Sequence, residues 1–331
     1  MFLFKKPVVL ASSFSLLMLY ALSSSAATGN IFVSVENDNA VVVLDGKTYE
    51  KRMTIKTSEQ PRHLQFSPNH DLIYVACGDG NRVDVIDVNK LSVVNSLDVG
   101  EEPEIFDISP DGKYLYVSNE DDGELSVYDL NAHKIVSQVE VGEEPEGVLV
   151  SHDGNTVYVT SEVANMVHVV DVTDKASPSV KKNIVVNTRP RRFALTTDGK
   201  TLFVSNEIGG SVSMIDTADS KVSGEIKFTP KGFRPDEVTP VGLVLSKDNK
   251  TLYVALGRAN HVAVVDTETK TVKDYVLVGN RAWGTTLNKD NSLLFVTNGM
   301  SDDMSIINTA TLKVEKSIPI GRVPHSVLID E

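Results

Sequence analysis

PEIFDISPDGKYLYVSNEDDGELSVYDLNAHKIVSQVEVGEEP, residues 103–145, holds one complete copy of the motif that decides the fold. It reads as four short strands, over residues 105–109, 114–119, 125–130 and 135–141, because Tyr, Val and Ile dominate these runs. The Ser-Pro-Asp-Gly segment at 109–112 predicts a tight turn, in which Gly112 accepts the positive φ that a β-branched residue would resist. We therefore predict a four-stranded antiparallel unit.

The same motif recurs along nearly the whole chain. An apolar residue followed by Asp or Asn ends each predicted third strand, and the spacings between successive copies are 42, 42, 42, 45, 50 and 42 residues. A Phe-Val or Tyr-Val pair in the second strand keeps the same register. A proline before the first strand does so too, except where Ala282 replaces it. The sequence therefore predicts seven repeats of one supersecondary unit.

The strands are apolar on both faces, as in the run Leu115, Tyr116, Val117. A strand of this kind must be covered on both sides, which stacked four-stranded sheets around an axis provide. We predict an all-β fold, a seven-bladed β-propeller with four-stranded blades. The chain ends with a lone first strand at 324–329 and begins its repeats with a second strand at Ile31. The C-terminal strand is therefore predicted to join the first blade and close the ring.

The N-terminal residues have the pattern of a secretory signal peptide. Lys5 and Lys6 precede an apolar run over 8–22, and small residues follow at 24–27. We predict a signal peptide over residues 1–26, cleaved after Ala26 or Ala27, and a propeller domain over 27–331. The alternative is an uncleaved membrane anchor, for which the apolar run is short. Cleavage predicts a periplasmic or secreted protein without membrane insertion.

The composition excludes several classes of function. The chain has 331 residues, with 32 Lys+Arg against 45 Asp+Glu and a net charge of −13. This balance argues against nucleic-acid binding, which needs a basic surface. The single cysteine, Cys77, excludes an intrachain disulfide and is interpreted as a small buried hydrophobic residue. Nucleotide-binding and hydrolase motifs are absent, so we predict no catalytic residues.

Several segments resemble the YVTN family of β-propeller repeats. They are Val-Ser-Asn after Tyr116, Val-Thr-Ser after Tyr158, Val-Thr-Asn after Phe295, and the turn at 109–112. With seven copies and a secretory signal, the chain is similar to the periplasmic propellers associated with pyrroloquinoline quinone (PQQ)-dependent catabolism. The resemblance implies a partner in a quinoprotein dehydrogenase system and supplies no catalytic residues. The single tryptophan, Trp283, argues against stacking of PQQ by this chain itself, so we predict no bound cofactor.

The repeat geometry predicts a binding site at one mouth of the central channel. The inner strand of each blade starts at the proline, so the residues that follow it converge there. They differ in charge and size between blades, which favours an asymmetric ligand or partner over a purely structural role. The predicted binding residues, which we expect on an exposed rim, are Arg62, His63, Glu104, Glu146, Arg191, Arg192, Trp283 and His325.

Other interpretations of this mouth stay open. The arginines can simply neutralise the glutamates, with no ligand involved. Glu104 and Glu146 are candidate ligands for Ca²⁺, since carboxylate oxygens suit a hard cation. An insertion over residues 228–240 is predicted to form a flap over the channel, with Arg234, Asp236 and Glu237 available for contacts. Its alternative is a tolerated surface insertion.

Three functions are compatible with the sequence. The first is a non-catalytic binding or scaffold propeller, a monomer that serves a quinoprotein alcohol oxidation system or binds a small molecule. The second is a propeller hydrolase or lyase, such as a metal-dependent lactonase that uses the carboxylates at the mouth. The third is a structural cell-surface propeller. We favour the first, because the motifs that would mark an enzyme are absent.

Overall fold

Seven four-stranded antiparallel sheets make up residues 27–331, the part of the chain that this computed structural model describes. The prediction of an all-β, seven-bladed propeller is confirmed. Blade 1 combines the C-terminal strand with the first three strands of the described chain, and each later blade contains four consecutive strands in sequence order. The predicted signal peptide, residues 1–26, lies outside the described residues.

The strands have similar bounds in every blade. The inner strands are β4 Pro61–Phe66, β8 Pro103–Ile108, β12 Pro145–Val150, β16 Pro190–Leu195, β20 Leu243–Leu245, β24 Ala282–Leu287 and β28 Pro324–Ile329. The second strands are β1 Asn30–Val35, β5 Leu72–Cys77, β9 Tyr114–Asn119, β13 Thr156–Ser161, β17 Thr201–Asn206, β21 Thr251–Ala255 and β25 Leu293–Asn298. The third strands are β2 Ala40–Asp45, β6 Arg82–Asp87, β10 Glu124–Asp129, β14 Met166–Asp171, β18 Ser211–Asp216, β22 His261–Asp266 and β26 Asp303–Asn308. The outer strands are β3 Lys51–Lys56, β7 Ser92–Leu97, β11 Lys134–Glu140, β15 Ser179–Val185, β19 Lys221–Lys227, β23 Thr271–Leu277 and β27 Lys313–Pro319.

Helical structure in residues 27–331 consists of two single-turn 3₁₀ segments, Glu36–Asp38 and Pro235–Glu237. Within that range no helix is long and apolar enough to span a bilayer.

The hydrophobic core is divided among the contacts between blades. Residues 27–331 form seven apolar clusters, and each joins the facing sides of two neighbouring sheets. One of them packs Tyr74 and Val85 of blade 2 against Phe106 and Leu115 of blade 3. The two-sided apolar strands of the sequence are therefore explained, because each blade lies between two others.

In blade 3 the inner strand begins at Pro103, where the repeat register places it and two residues before the start at 105 that its composition predicted. In blade 3, Pro103 pairs with Asn119, and the register then shifts before Phe106 pairs with Val117. The shift places two residues of the inner strand opposite one residue of its partner, so the inner strand has one extra residue, which is the geometry of a β-bulge. Proline fits the first position because it has no N–H to donate to the sheet. The bulge directs the residues after the proline toward the channel.

The ring is closed as predicted. Strand β28 pairs with β1, with Ile329 opposite Ile31 and Val327 opposite Val33. Asp330 joins the two ends of the described chain beyond the strand, because its Oδ2 atom accepts hydrogen bonds of 2.6 Å from both the N–H and the hydroxyl of Thr28. The two ends of the described chain therefore hold one blade together.

A hydroxyl group in the second strand joins neighbouring blades, and it explains the Ser or Thr of the repeat. Thr160 of blade 4 donates from Oγ1 to the carbonyl of Arg191 in blade 5, at 3.0 Å, and accepts from the N–H of Gly147 at 2.7 Å. Gly147 must be glycine for this approach, because a Cβ there would lie 2.1 Å from the same carbonyl oxygen. Equivalent hydroxyl donations to the next blade come from Ser34, Ser118 and Thr297.

A second connection between blades uses residues with left-handed backbone conformation. Asn165 of blade 4 has φ 53° and accepts, on Oδ1, the N–H of Arg189 at 2.8 Å. Arg189, the residue before the proline of blade 5, itself has φ 58°. Asparagine tolerates this conformation better than most residues and supplies the acceptor at the same time. These turns fix the chain where it enters the channel.

Candidate functional site: the channel and its mouth

The inner strands bring the residues that follow each proline to one end of the central channel, which we call the proline mouth. Ion pairs and hydrogen bonds join these side chains to each other and to the glutamates at the ends of the second strands. The contacts form two separate sets, one around Arg62 and one around Glu146, and we call the two together the mouth network. It comprises Glu36, Arg62, Glu104, Glu120, Glu146, Glu162, Arg189, Arg191, Arg192, Glu207 and His325.

The predicted mouth residues are buried or half-buried, so the expectation of an exposed rim is wrong, although Arg189 of the mouth network has a side chain that is 42% exposed. Glu104 is 0%, Glu146 2% and His325 4% exposed. The cause is that side chains from different blades cross the mouth and cover one another. Arg191, for example, reaches Glu162 of blade 4 and Glu207 of its own blade. Repeat position alone gives the direction of these side chains and not their depth.

Glu146 is the carboxylate around which the arginines of blade 5 gather. Its Oε1 atom lies 3.1 Å from Nη2 of Arg192, and its Oε2 atom lies 3.5 Å from Nη1 of Arg191. Burial raises the pKa of Glu146, but the two guanidinium charges outweigh burial and hold that pKa below its usual range. On the other side of the mouth, Arg62 contacts Glu104 and lies 3.9 Å from Glu120.

The two histidines at the mouth are neutral. Nη2 of Arg192 lies 3.2 Å from Nε2 of His325, and a guanidinium only donates, so this nitrogen of His325 must accept. Its Nδ1 then carries the proton and faces Oγ of Ser326 at 3.2 Å. Burial and the charge of Arg192 hold the pKa of His325 well below its usual range, and the same causes lower the pKa of His63 to about 3.

Trp283 takes the place that arginine or glutamate has in blades 2 to 5. The guanidinium carbon of Arg281 lies 4.5 Å from the centre of its ring, and that of Arg191 lies 5.2 Å away. Both distances are typical of cation–π contacts. Trp283 is 8% exposed, and its Nε1–H has no hydrogen-bond partner among residues 27–331.

A cavity of about 370 Å³ lies in the channel next to the mouth network. Inner strands of all seven blades line it. Two of the lining residues are joined across blades, because Nε2 of Gln65 donates to Oδ1 of Asp107 at 2.8 Å. Burial raises the pKa of Asp107, although the hydrogen bonds that its carboxylate accepts from N–H groups act to lower that pKa. The predicted site residues His63, Arg192, Trp283 and His325 also line the cavity.

The insertion does not bring its charged side chains to the channel. Nε of Arg234 lies 3.4 Å from Oε2 of Glu237, and its Nη2 lies 3.4 Å from Oδ2 of Asp236. The side chains of Arg234 and Asp236 are 73% and 69% exposed. Phe233 anchors the segment instead, with its ring 5.4 Å from that of His261. None of the three predicted flap residues lines the 370 Å³ cavity or contacts the mouth network.

The carboxylates that converge most closely are not the predicted pair. Glu146 is engaged by arginines, whereas Glu102, Glu104 and Glu120 offer oxygen atoms within 4.8 Å of one another. Burial, followed by the charge of Glu120, raises the pKa of Glu102 to about 7. Three carboxylates are a fitting donor set for a hard cation, although Arg62 already contacts Glu104.

Residues before the prolines were missed by the sequence analysis. Glu102, Arg189 and Arg281 all lie at this position, with φ of 41°, 58° and 59°. Their left-handed backbone turns them back over the mouth. The signal was present as a charged residue directly before the proline or before Ala282, in the same register in four blades, since Glu144 also precedes a proline.

Two protein-family models match the chain. The YNCE-like beta-propeller model matches residues 72–156. The Choice-of-anchor I domain model matches residues 120–293, more than half of the 331 residues. A comparison with curated proteins finds no match.

Solved structures share the fold at low sequence identity. A protein from Lactobacillus plantarum has a TM-score of 0.80 at 16% identity, covering 92% of this chain and 99% of its own. The periplasmic gluconolactonase of Pseudomonas aeruginosa has a TM-score of 0.78 at 18% identity, with coverage of 91% and 99%. Hydrazine synthase of Kuenenia stuttgartiensis has a TM-score of 0.77 at 20% identity, with coverage of 85% and 93%. At these identities the likeness extends to the fold alone.

Proposed function

We propose that this chain, which belongs to the Choice-of-anchor I domain family, is a non-catalytic β-propeller that binds a small molecule in its central channel. The observation that carries the proposal is the 370 Å³ cavity beside the mouth network. Its volume lies in the range of small-molecule sites. Inner strands hold its walls, so little ordering accompanies binding.

The lining of the cavity combines apolar side chains with a few polar and charged side chains. Phe106 and Phe193 contribute apolar surface, while Arg192 and Asp107 contribute opposite charges. Such a wall fixes the orientation of a polar ligand and excludes water from its apolar part. The charged pairs of the mouth network hold Arg192 in place through Glu146.

The histidines favour binding over catalysis. His325 is the neighbour of Ser326, but its Nδ1 carries the proton because its Nε2 accepts from Arg192. It therefore cannot take a proton from that serine as a general base. His63, with a pKa of about 3, is equally weak as a base at neutral pH.

The test is native mass spectrometry of the protein recovered from its own cells without denaturation. We expect a bound small molecule in the natural protein and none in a Thr285→Phe variant, in which a larger side chain fills the cavity. Thr54→Phe, on the exposed face of outer strand β3, is the matched control and should retain the molecule. A protein that carries no small molecule, or the same one in all three forms, would favour a structural surface role.

The compartment and the partner system belong to the same proposal. The signal-peptide pattern of residues 1–26 supports a periplasmic or secreted protein, as does the shared fold of the Pseudomonas periplasmic enzyme. Service to a PQQ-dependent alcohol oxidation system is supported by sequence resemblance alone. Co-purification with a quinoprotein dehydrogenase from the periplasm tests it, and a partner-free protein in cells that oxidise alcohols would contradict it.

A second candidate is a metal-dependent lactonase, and one observation favours it. The side chains of Glu102, Glu104 and Glu120 form the cluster of three carboxylates described above, near the proline mouth. These three side chains would hold Ca²⁺, which supplies a Lewis acid for a lactone carbonyl. Hydrolysis of gluconolactone that requires Ca²⁺ and is lost in Glu102→Gln would support this candidate. Unchanged hydrolysis in that variant would exclude it.

A further inference from the structure

Two arginines occupy the same repeat position, yet they have different surroundings. Arg189 precedes the inner strand of blade 5 and Arg281 precedes that of blade 7, with φ of 58° and 59°. Nη2 of Arg189 lies 2.6 Å from Oε2 of Glu162, and its Nε lies 3.3 Å from Oε2 of Glu207. Arg189 therefore has a carboxylate from the preceding blade and one from its own blade.

Arg281 lacks both carboxylates. The repeat positions of Glu162 and Glu207 are occupied around it by Gly257 and Gly299. Within residues 27–331 its guanidinium makes no ion pair and donates no hydrogen bond, and it lies over the ring of Trp283 instead. The Nε1–H of Trp283 is likewise without an acceptor, although the residue is more than nine-tenths buried. Arg281 and Trp283 thus lie in contact without the acceptors that blade 5 supplies to Arg189.

Free space is present on the side of Gly299. A small pocket of about 30 Å³ is lined by Glu36, Arg281, Trp283, Gly299, Val323, Pro324 and His325. This space has room for a group the size of one or two water molecules. A Cβ on Gly299 would meet its nearest atoms at 3.8 Å, so a side chain fits there. At Gly257 it would meet Oγ1 of Thr239 at 2.1 Å, so that position is filled.

We propose that this pocket binds the carboxylate group of a small-molecule ligand through Arg281 and the Nε1–H of Trp283. The ligand then supplies a carboxylate to Arg281, as Glu207 supplies one to Arg189. The inference rests on the proposed function, because Trp283 and His325 line both this pocket and the channel cavity. The carboxylate lies at the proline mouth, and the remainder of the ligand extends into the channel.

Among the residues that the structure describes, Glu36 is the one acidic side chain that lines the pocket. Its Oε1 atom lies 3.6 Å from Nε2 of His325. A second carboxylate beside it is repelled to the extent that Glu36 is ionised. A Glu36→Gln variant removes that repulsion and is expected to bind carboxylates more tightly.

The fluorescence of Trp283 gives a direct test, since it is the only tryptophan of the chain. The probes are acetate and lactate, titrated at constant ionic strength, with acetamide and lactamide as neutral controls of the same shape. We expect a saturable change with the two carboxylates only. The affinity should fall about tenfold or more in Arg281→Gln, because a charge-assisted hydrogen bond is lost. Arg258→Gln, an exposed arginine on a neighbouring loop, is the matched control and should bind as the natural protein does.

Gly299→Glu is the sharper variant, because it places inside the protein the carboxylate that we assign to the ligand. Its backbone is not in the left-handed region, so the substitution causes no strain there. We expect the variant to fold and to lose the response to acetate and lactate. Equal responses to carboxylates and amides, or binding that is unchanged in both Arg281→Gln and Gly299→Glu, would overturn the proposal.

The native mass spectrometry described above separates the two failures. If a small molecule is captured by the natural protein, lost in Thr285→Phe and kept in both Arg281→Gln and Gly299→Glu, the carboxylate inference fails while the channel function stands. If no molecule is captured by any form, the proposed function itself fails.

Discussion

Arg192 and Glu146, on adjacent blades, form a buried ion pair with 3.1 Å between Nη2 and Oε1. The side chain of Arg192 is 15% exposed and that of Glu146 is 3% exposed. Arg191 shares the same carboxylate at 3.5 Å. One acidic side chain is therefore shared by two arginines at the entrance of the channel, and the consequences for stability can be measured.

Glu146→Gln should destabilise the protein by about 3–5 kcal/mol, because it leaves two buried guanidinium groups with less compensation. Denaturant unfolding of the purified domain measures the change. Glu143→Gln, three residues earlier on the exposed surface, is the control and should change the stability by less than about 0.5 kcal/mol. Equal, small effects in both variants would show that the mouth behaves as an exposed rim.

Thr160→Val should cost about 1–3 kcal/mol of stability. The substitution keeps the shape but leaves the carbonyl of Arg191 and the N–H of Gly147 without their partner. Thr54→Val, on the exposed outer strand β3, is the matched control and should be nearly neutral. Thermal melts of the two variants give the comparison. An unchanged melting temperature in Thr160→Val would show that this hydroxyl does not stabilise the contact between the blades.

Deletion of residues 324–331 should destabilise the protein strongly. The deletion removes strand β28, which leaves β1 with an unpaired edge and exposes the apolar side chains packed against Val327. We expect aggregation at temperatures at which the full chain is soluble, measured by light scattering. A peptide of residues 324–331, added in excess, should restore part of the stability. A truncated chain that melts like the full one would refute ring closure by this strand.

Stability should decrease as the pH falls below about 6.5, the ordinary pKa of histidine. His63 titrates near 3 in the folded protein, so the unfolded chain binds more protons between these values and unfolding is favoured by acid. The contribution of His63 is at most about 1.4 kcal/mol per pH unit in this window. Melting temperatures of His63→Gln should therefore fall less steeply from pH 7 to pH 5 than those of the natural protein. Parallel slopes would mean that His63 is not the group responsible.

The fold was predictable because the repeat markers report strand position directly. Tyr116 and Val117 lie in a second strand and Pro103 begins an inner strand, as their spacing indicated. The depth of the mouth residues was not predictable. Glu104 is fully buried because Arg62 of the neighbouring blade covers it, and a contact between separate repeats leaves no mark in the sequence of either.

The candidate site was predictable in part for the same reason. Residues after the prolines were placed at the mouth by register alone. Arg281 was missed because the feature that singles it out is a missing carboxylate, at the position of Gly299. That carboxylate is recognised as missing only when Arg281 is compared with Arg189, which has its carboxylate partners. The charged insertion was overestimated, because composition could not show that Arg234 is satisfied by its own neighbours.

The central claim is that the channel cavity holds a small molecule, and one titration tests it most directly. The protein is stripped of bound molecules by mild unfolding and refolding, and the small-molecule fraction of the cells that produce it is then added while Trp283 fluorescence is followed. We predict a saturable change in the natural protein that is absent in Thr285→Phe and retained in Thr54→Phe. No change in the natural protein, or an equal change in Thr285→Phe, would contradict the claim.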